Sequence, residues 1–192
     1  RGETMNYSLT ISLILLFQSH FCHSRRFWRK RHLQWALRDP FALIPSSSLP
    51  IIRQMLDESF AMWEESLNGR IIFTQVFPPF SHSSNKPDGV DIDIFFATRN
   101  HGDKDPFDGR GGTVAHSGYP PKGILHLDAD EIWSMGENGI DLRQVLLHEI
   151  GHILGLRHSK SEESIMNPYY FQKRKALFIP MVDEYNLHLL YN

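Results

Sequence analysis

Apolar and polar positions alternate along residues 32–38. Leu33, Trp35 and Leu37 share one face, the period of a half-buried strand. The period then lengthens: Ile52, Met55, Leu56, Phe60, Trp63 and Leu67 recur at three- and four-residue steps, which predicts an amphipathic helix. Ser48 and Pro50 mark its start and Asn68-Gly69 its end. These side chains read as core rather than as a cofactor site. Segments 71–77 and 90–98 read as buried strands, separated by a loop of Pro, Ser and Asn over 78–88. Shorter strands are expected around 113–116 and 124–127. A second helix is expected over about 141–155, turning Leu142, Val145, Leu146 and Ile150 inward. A third begins near Asp183 and draws its buried face from Tyr185, Leu187, Leu189 and Leu190. The pattern predicts an α+β fold, a mixed sheet with three helices and no internal repeat.

The second helix carries the most informative chemistry, His148-Glu149-Ile150-Gly151-His152-Ile153-Leu154-Gly155-Leu156-Arg157-His158. His148 and His152 lie four apart and project from one helix face. Glu149 sits beside the first of them, placed to act on water rather than on a metal. Gly155 can end the helix with a left-handed turn, so that His158 returns as a third ligand from outside it. Three protein ligands leave a fourth tetrahedral position open, the arrangement of a catalytic zinc. Met166 follows closely, in Ser164-Ile165-Met166-Asn167-Pro168. On its own it would be an ordinary core residue. Downstream of the long histidine motif it matches a Met-turn.

These motifs, together with Ser159 directly after the third histidine, resemble the catalytic domain of the matrix metalloproteinases, the matrixins, over about residues 28–192. The resemblance implies a metzincin-like α+β fold with a mostly parallel twisted sheet, three helices and a cleft between upper and lower subdomains. It also implies a secreted zinc metalloendopeptidase that hydrolyses extracellular proteins by a zinc-activated water, with Glu149 as general base. The specificity pocket it implies is lined by Gln144, Val145, Pro168, Tyr169 and Tyr170, with an apolar side chain accepted just after the scissile bond. Protein or peptide substrates, extracellular matrix among them, and protein metalloproteinase inhibitors would be its partners, and the chain would act as a monomer.

A second metal-ligand set lies upstream, between His101 and Glu131. His101, Asp103, His116 and His126 supply three nitrogens and one carboxylate oxygen, a closed set suited to a structural zinc. Asp108, Asp128 and Glu131, with carbonyls of Gly109, Gly111 and Thr113, are hard oxygen donors suited to calcium. Matrixins bind a structural zinc and a calcium with this spacing. Such ions would pin a long loop that has little apolar material of its own. The segment between His116 and His126 is short, Ile124 and Leu125 stand where matrixins often carry an acid, and Asp91 has no evident partner. That weakens the case for a second calcium in this part. An extended peptide is expected to add to a sheet edge near residues 123–125.

Composition changes the picture little. The chain has 192 residues, 41% hydrophobic and 22% charged, with net charge −2, enough for one core and without the basic surface of a nucleic-acid binder. Residues 1–24 differ from the rest. The apolar run Leu9–Phe17 is too short to span a bilayer and reads as a signal peptide, or as a truncated N-terminal segment. The peptidase domain is expected over 25–192, with no transmembrane anchor and no hemopexin-like domain. The basic run from Arg25 to Arg31 either invites processing or flanks the first strand. Cys22, the only cysteine, lacks the sequence context of a matrixin cysteine switch, so no latency role is assigned to it. Three function classes stand: a zinc endopeptidase, a silent metal-retaining module, and a zinc hydrolase of non-protein substrates. An intact Glu149, the Met-turn and the upstream metal loop favour the first.

Overall fold

The computed structural model describes residues 26–134, 139–169 and 177–192. In chain order these form β1 (His32–Arg38), α1 (Leu49–Ser66), β2 (Ile72–Gln75), β3 (Ile92–Ala97), β4 (Ala115–Ser117), β5 (Ile124–Asp128), β6 (Trp133–Ser134), β7 (Ile140–Asp141), α2 (Leu142–Ile153) and α3 (Met181–Tyr191). The main sheet has the order β2-β1-β3-β5-β4. All its pairings are parallel except that of β4 with β5. A parallel pair needs a crossover, and α1 provides it between β1 and β2. β6 and β7 pair with each other and were not anticipated; two residues each leave no periodic signal.

β3 is buried at every position, because it lies centrally and is covered on both faces. On one side Ile92, Ile94 and Phe96 join the main core with α1 and α2; on the other, Phe95 and Ala97 pack with Phe107. Trp63 crosses from α1 to α2, fully buried, and its Nε1 donates to the Leu147 carbonyl at 3.1 Å. The central position of β3 also explains its charged residue. Asp93 is buried but accepts two 2.6 Å hydrogen bonds from Arg38, which itself donates to the Ser83 and Asn85 carbonyls and so ties down the 78–88 loop. A buried carboxylate is tolerable only when paired in this way.

Several expectations need correction. Segment 71–77 is not a buried strand: β2 spans only 72–75, at the sheet edge, and alternate residues face solvent. Ser48 makes no side-chain cap, so Pro50 is the stronger start signal of α1. α3 begins at Met181, and among its apolar residues Leu187 is fully buried, whereas Tyr185 and Leu189 are exposed. Residues 123–125 are not a free edge, because β5 is paired on both sides, and the open edge beside them belongs to β4. No carboxylate faces Asp91 at 124–125, as expected; cations and a backbone N–H hold it instead. Its carboxylate accepts from Lys30 Nζ (2.6 Å) and the Gln34 N–H (2.7 Å), and its carbonyl accepts from Lys86 Nζ. Lys86 also donates to the Lys122 carbonyl at 2.7 Å, so an ammonium group bridges β3 to the turn before β5.

Candidate active site

α2 is buried almost all round, packed between α1 and the sheet. Asp141 caps its start by accepting the Arg143 N–H. Its other end closes as a Schellman motif: the Gly155 N–H donates to the His152 carbonyl and the Leu156 N–H to the Gly151 carbonyl. Further carbonyls there are met by aromatic donors, Trp28 Nε1 to Ile153 (2.8 Å) and Tyr191 OH to Leu154 (2.9 Å). Gly155 has φ +105°, and a Cβ there would overlap the Arg26 carbonyl oxygen. Only glycine fits this turn, and the turn aims His158. Gly155→Ala is therefore expected to cost about 1–3 kcal/mol from backbone strain alone and to lower zinc occupancy. Urea unfolding and metal analysis check it; a variant with parental midpoint and zinc content would contradict the role of the turn.

His148, His152 and His158 bring one nitrogen each to within 4.8 Å of one another. His152 Nε2 and His158 Nε2 stand 3.1 Å apart. His148 Nδ1 lies 2.8 Å from the Ile165 carbonyl and His152 Nδ1 2.8 Å from the Leu156 carbonyl. A carbonyl can only accept, so each Nδ1 carries the proton and each Nε2 keeps its lone pair for a metal. This cluster fits a zinc site. Burial lowers the pKa of His152 and His158, which keeps both rings neutral and ready to ligate.

Met166 is buried beneath these ligands; a Cβ on Gly151 would collide with its sulfur. The turn is held from α3. Buried Asp183 accepts from Ser164 Oγ (2.5 Å) and the Ile165 N–H (2.7 Å), and Ile165 is the residue whose carbonyl orients His148. Sequence reading took Asp183 only as a helix start. A lone Asp three residues after Pro180 gives no sign that it reaches back to residues 164 and 165.

A narrow groove beside the cluster is lined by Gln144, Val145, His148, Glu149, Ile165, Asn167 and Tyr169. Gln144, Val145 and Tyr169, expected at a specificity pocket, line this groove, whereas Pro168 is half-buried and is not among its lining residues. Tyr170 and the basic residues 173–175 lie outside the described residues, as do Cys22 and the apolar N-terminal run. Ile165 and Asn167 were missed as lining. Glu149 is buried, which pushes its carboxyl up to about 7, while a hydrogen bond from Ser117 Oγ acts in the opposite direction. Ser117 was also missed. Its signal is the strand alternation beside His116.

The loop set is equally well assembled. Asp103 Oδ2 lies 3.0 Å from His101 Nε2, 2.9 Å from His116 Nε2 and 2.9 Å from His126 Nδ1. Burial acts to raise the Asp103 pKa, but hydrogen bonds from His126 and the Asp105 N–H, with the neighbouring imidazoles, hold it below the usual carboxylate range. Burial brings His126 down from 6.5 to about 4. Four donors facing one point, three imidazole nitrogens and one carboxylate oxygen, match the chemistry of a closed zinc site. Asp108, Asp128 and Glu131 lie close by but do not form a third tight donor group among the described residues. Asp128 Oδ2 is nonetheless buried without a hydrogen-bond partner. Burial, then neighbouring carboxylates, raise the pKa of both Asp128 and Glu131. A divalent cation would relieve that repulsion. The Gly111 N–H donates to Glu131 and the Thr113 N–H to Asp108, so these backbones wrap the acids; Gly109 is buried among them.

Protons compete with metal for imidazole nitrogens, and burial moves that competition to lower pH. Acid release from the loop set is therefore expected only below the ordinary imidazole pKa of 6.5, since burial lowers His126 and a bound metal competes further with its proton. Zinc retained after dialysis at decreasing pH measures it; complete loss already at 6.5 would contradict it.

The sheet, three helices and histidine-bearing α2 make up the α+β architecture of a metzincin catalytic domain. The family model for matrixin matches residues 27–192. The chain belongs to the matrixin family, which implies zinc. It is 37% identical to matrix metalloproteinase-16 of Homo sapiens over 149 residues, 74% of this chain and 23% of that protein. It is 36% identical to stromelysin-3 of Xenopus laevis over 179 residues, 91% of this chain and 34% of that protein. It is 42% identical to karilysin of Tannerella forsythia over 125 residues, 62% of this chain and 24% of that protein. The chain thus spans about a quarter to a third of the length of these relatives. Among the described residues no helix is long and apolar enough to cross a membrane.

Proposed function

We propose that this chain is a zinc metalloendopeptidase, with Glu149 as general base and His148, His152 and His158 as the ligands of the catalytic metal. The observation that carries the reading is the convergence of three imidazole nitrogens beside a buried glutamate that lines a groove. Zinc, when bound, supplies a Lewis acid that polarises a carbonyl and acidifies water. The residues supply the rest. The Ile165 and Leu156 carbonyls fix the two α2 imidazoles. Glu149 takes a proton from the attacking water on a carboxylate oxygen and returns it to the departing peptide nitrogen. Burial raises its carboxyl above the ordinary carboxylate range, which favours taking up that proton. Buried Ile150, Ile153 and Leu154 keep bulk water from beneath the helix.

An extended substrate would pair with the open edge of β4, where the backbone groups of Ala115 and Ser117 face away from β5. Gln144, Val145 and Tyr169 would receive an apolar side chain just after the scissile bond. His101, Asp103, His116 and His126 would hold a structural zinc, and Asp108, Asp128, Glu131 and the carbonyls of Gly109, Gly111 and Thr113 a calcium. We place the action outside the cell, on extracellular proteins, by a secreted monomer open to protein metalloproteinase inhibitors. Internal cleavage of peptides that requires zinc and Glu149 tests the proposal.

A further inference from the structure

We propose that Ser117, on edge strand β4, is a positioning residue for the Glu149 carboxylate. The proposal rests on the peptidase reading above. Successive side chains on a strand point to opposite faces. On β4 that rule sends His116 to the loop donor set, where its Nε2 meets Asp103. It sends Ser117 the other way, onto α2, where its Oγ lies 2.6 Å from Glu149 Oε2 and 3.2 Å from the Glu149 carbonyl. One hydroxyl proton serves one acceptor at a time, and the shorter contact to the charged oxygen takes it.

The consequence concerns orientation. A glutamate carries three rotatable bonds, and its terminal torsion is broad. The described residues offer the Glu149 carboxylate no other hydrogen bond than that from Ser117. With Oε2 tied to β4, the rotation of the carboxylate is fixed and Oε1 remains as the open acceptor. Ser117 is itself well held, since the Gly118 N–H donates to the Ile124 carbonyl and Ser117 pairs with Leu125. The same strand carries the open edge proposed to receive the substrate. The register of the peptide and the orientation of the base are therefore set by one element. Ala115-His116-Ser117 thus has three jobs: edge, loop ligand and base support.

Valine and threonine have nearly the same shape, both suit a strand, and only threonine keeps a hydroxyl. The test compares Ser117→Thr and Ser117→Val in the full zinc-loaded chain. Misorienting a reacting group can cost up to about a hundredfold in rate. Ser117→Val is expected to lower kcat at least about tenfold with KM unchanged, and Ser117→Thr to stay within about threefold of the parent. A second readout does not use turnover: calorimetric affinity for a small hydroxamate, whose proton Glu149 would accept, should weaken in the valine variant and recover in the threonine variant. Equal kcat and equal hydroxamate affinity in the two variants would overturn the inference. A parent chain without turnover overturns the peptidase reading and this inference with it. An active parent whose valine and threonine variants match overturns this inference alone.

Discussion

Replacing Glu149 by Gln is expected to lower peptide turnover by about 10²–10⁴-fold, the range of a positioned general base, while the fold and zinc stoichiometry stay as in the parent. The physical reason lies in what the substitution keeps. Gln has the size of Glu, so the packed interior of α2 sees no cavity, and its carbonyl oxygen can still accept from Ser117 Oγ. It cannot take a proton from water at neutral pH. The three imidazoles are oriented by the Ile165 and Leu156 carbonyls and by the Gly155 turn, none of which involves the Glu149 side chain. Metal analysis beside steady-state kinetics separates the roles. If the variant loses zinc in proportion to activity, Glu149 is a ligand rather than a base. If it retains most of the activity, the base is elsewhere.

Asp103→Ala is expected to destabilise the whole domain, although the residue lies on a surface loop. Segment 98–114 forms no strand or helix, and Phe107 and Val114 are its apolar contributions to the interior. Its order comes from polar convergence, with one carboxylate oxygen of Asp103 meeting three imidazoles from positions 101, 116 and 126. A metal held a thousandfold above its Kd stabilises by about 4 kcal/mol. For a domain of this size each kcal/mol is about 2–4 °C in Tm. Loss of that metal should therefore lower Tm by roughly 8–16 °C. Activity should fall too, because β4 carries both His116 and Ser117, whose hydroxyl meets the Glu149 carboxylate. Lys104→Ala, in the same loop and exposed, should do neither. Calorimetry of the two variants with and without a chelator checks this. An Asp103→Ala protein with parental Tm and parental zinc content would contradict it.

The parts legible in the sequence were those that repeat or that combine unusual residues. α1, β1, β3 and α2 each carry several turns or alternations of a single period, so their existence and approximate limits could be read. The candidate donors in 101–158 were legible because His and Asp at ligand spacing are chemically specific, and the structure brings the seven proposed donors into two clusters. What escaped depends on residues distant in the chain. Nothing near Asp183 points to the turn at 164–166, and the alternation beside His116 gives Ser117 its face but not its partner Glu149, thirty-two positions away. Edge and centre were also illegible. Ile72 and Phe73 look as apolar as Ile92 and Ile94, and only the strand order leaves the first pair at the rim. The same ignorance of order misplaced the open edge at 123–125 instead of β4.

The central claim is that this chain cuts internal peptide bonds with a metal held by His148, His152 and His158. The most direct test is hydrolysis of a quenched fluorogenic peptide library by the chain in zinc and calcium, with products identified by mass. The account predicts cleavage at internal bonds, with an apolar residue just after the cut, abolished by a hydroxamate chelator. A folded chain that holds zinc at these histidines and cleaves no peptide in the library would contradict it, and would make the domain a binding module.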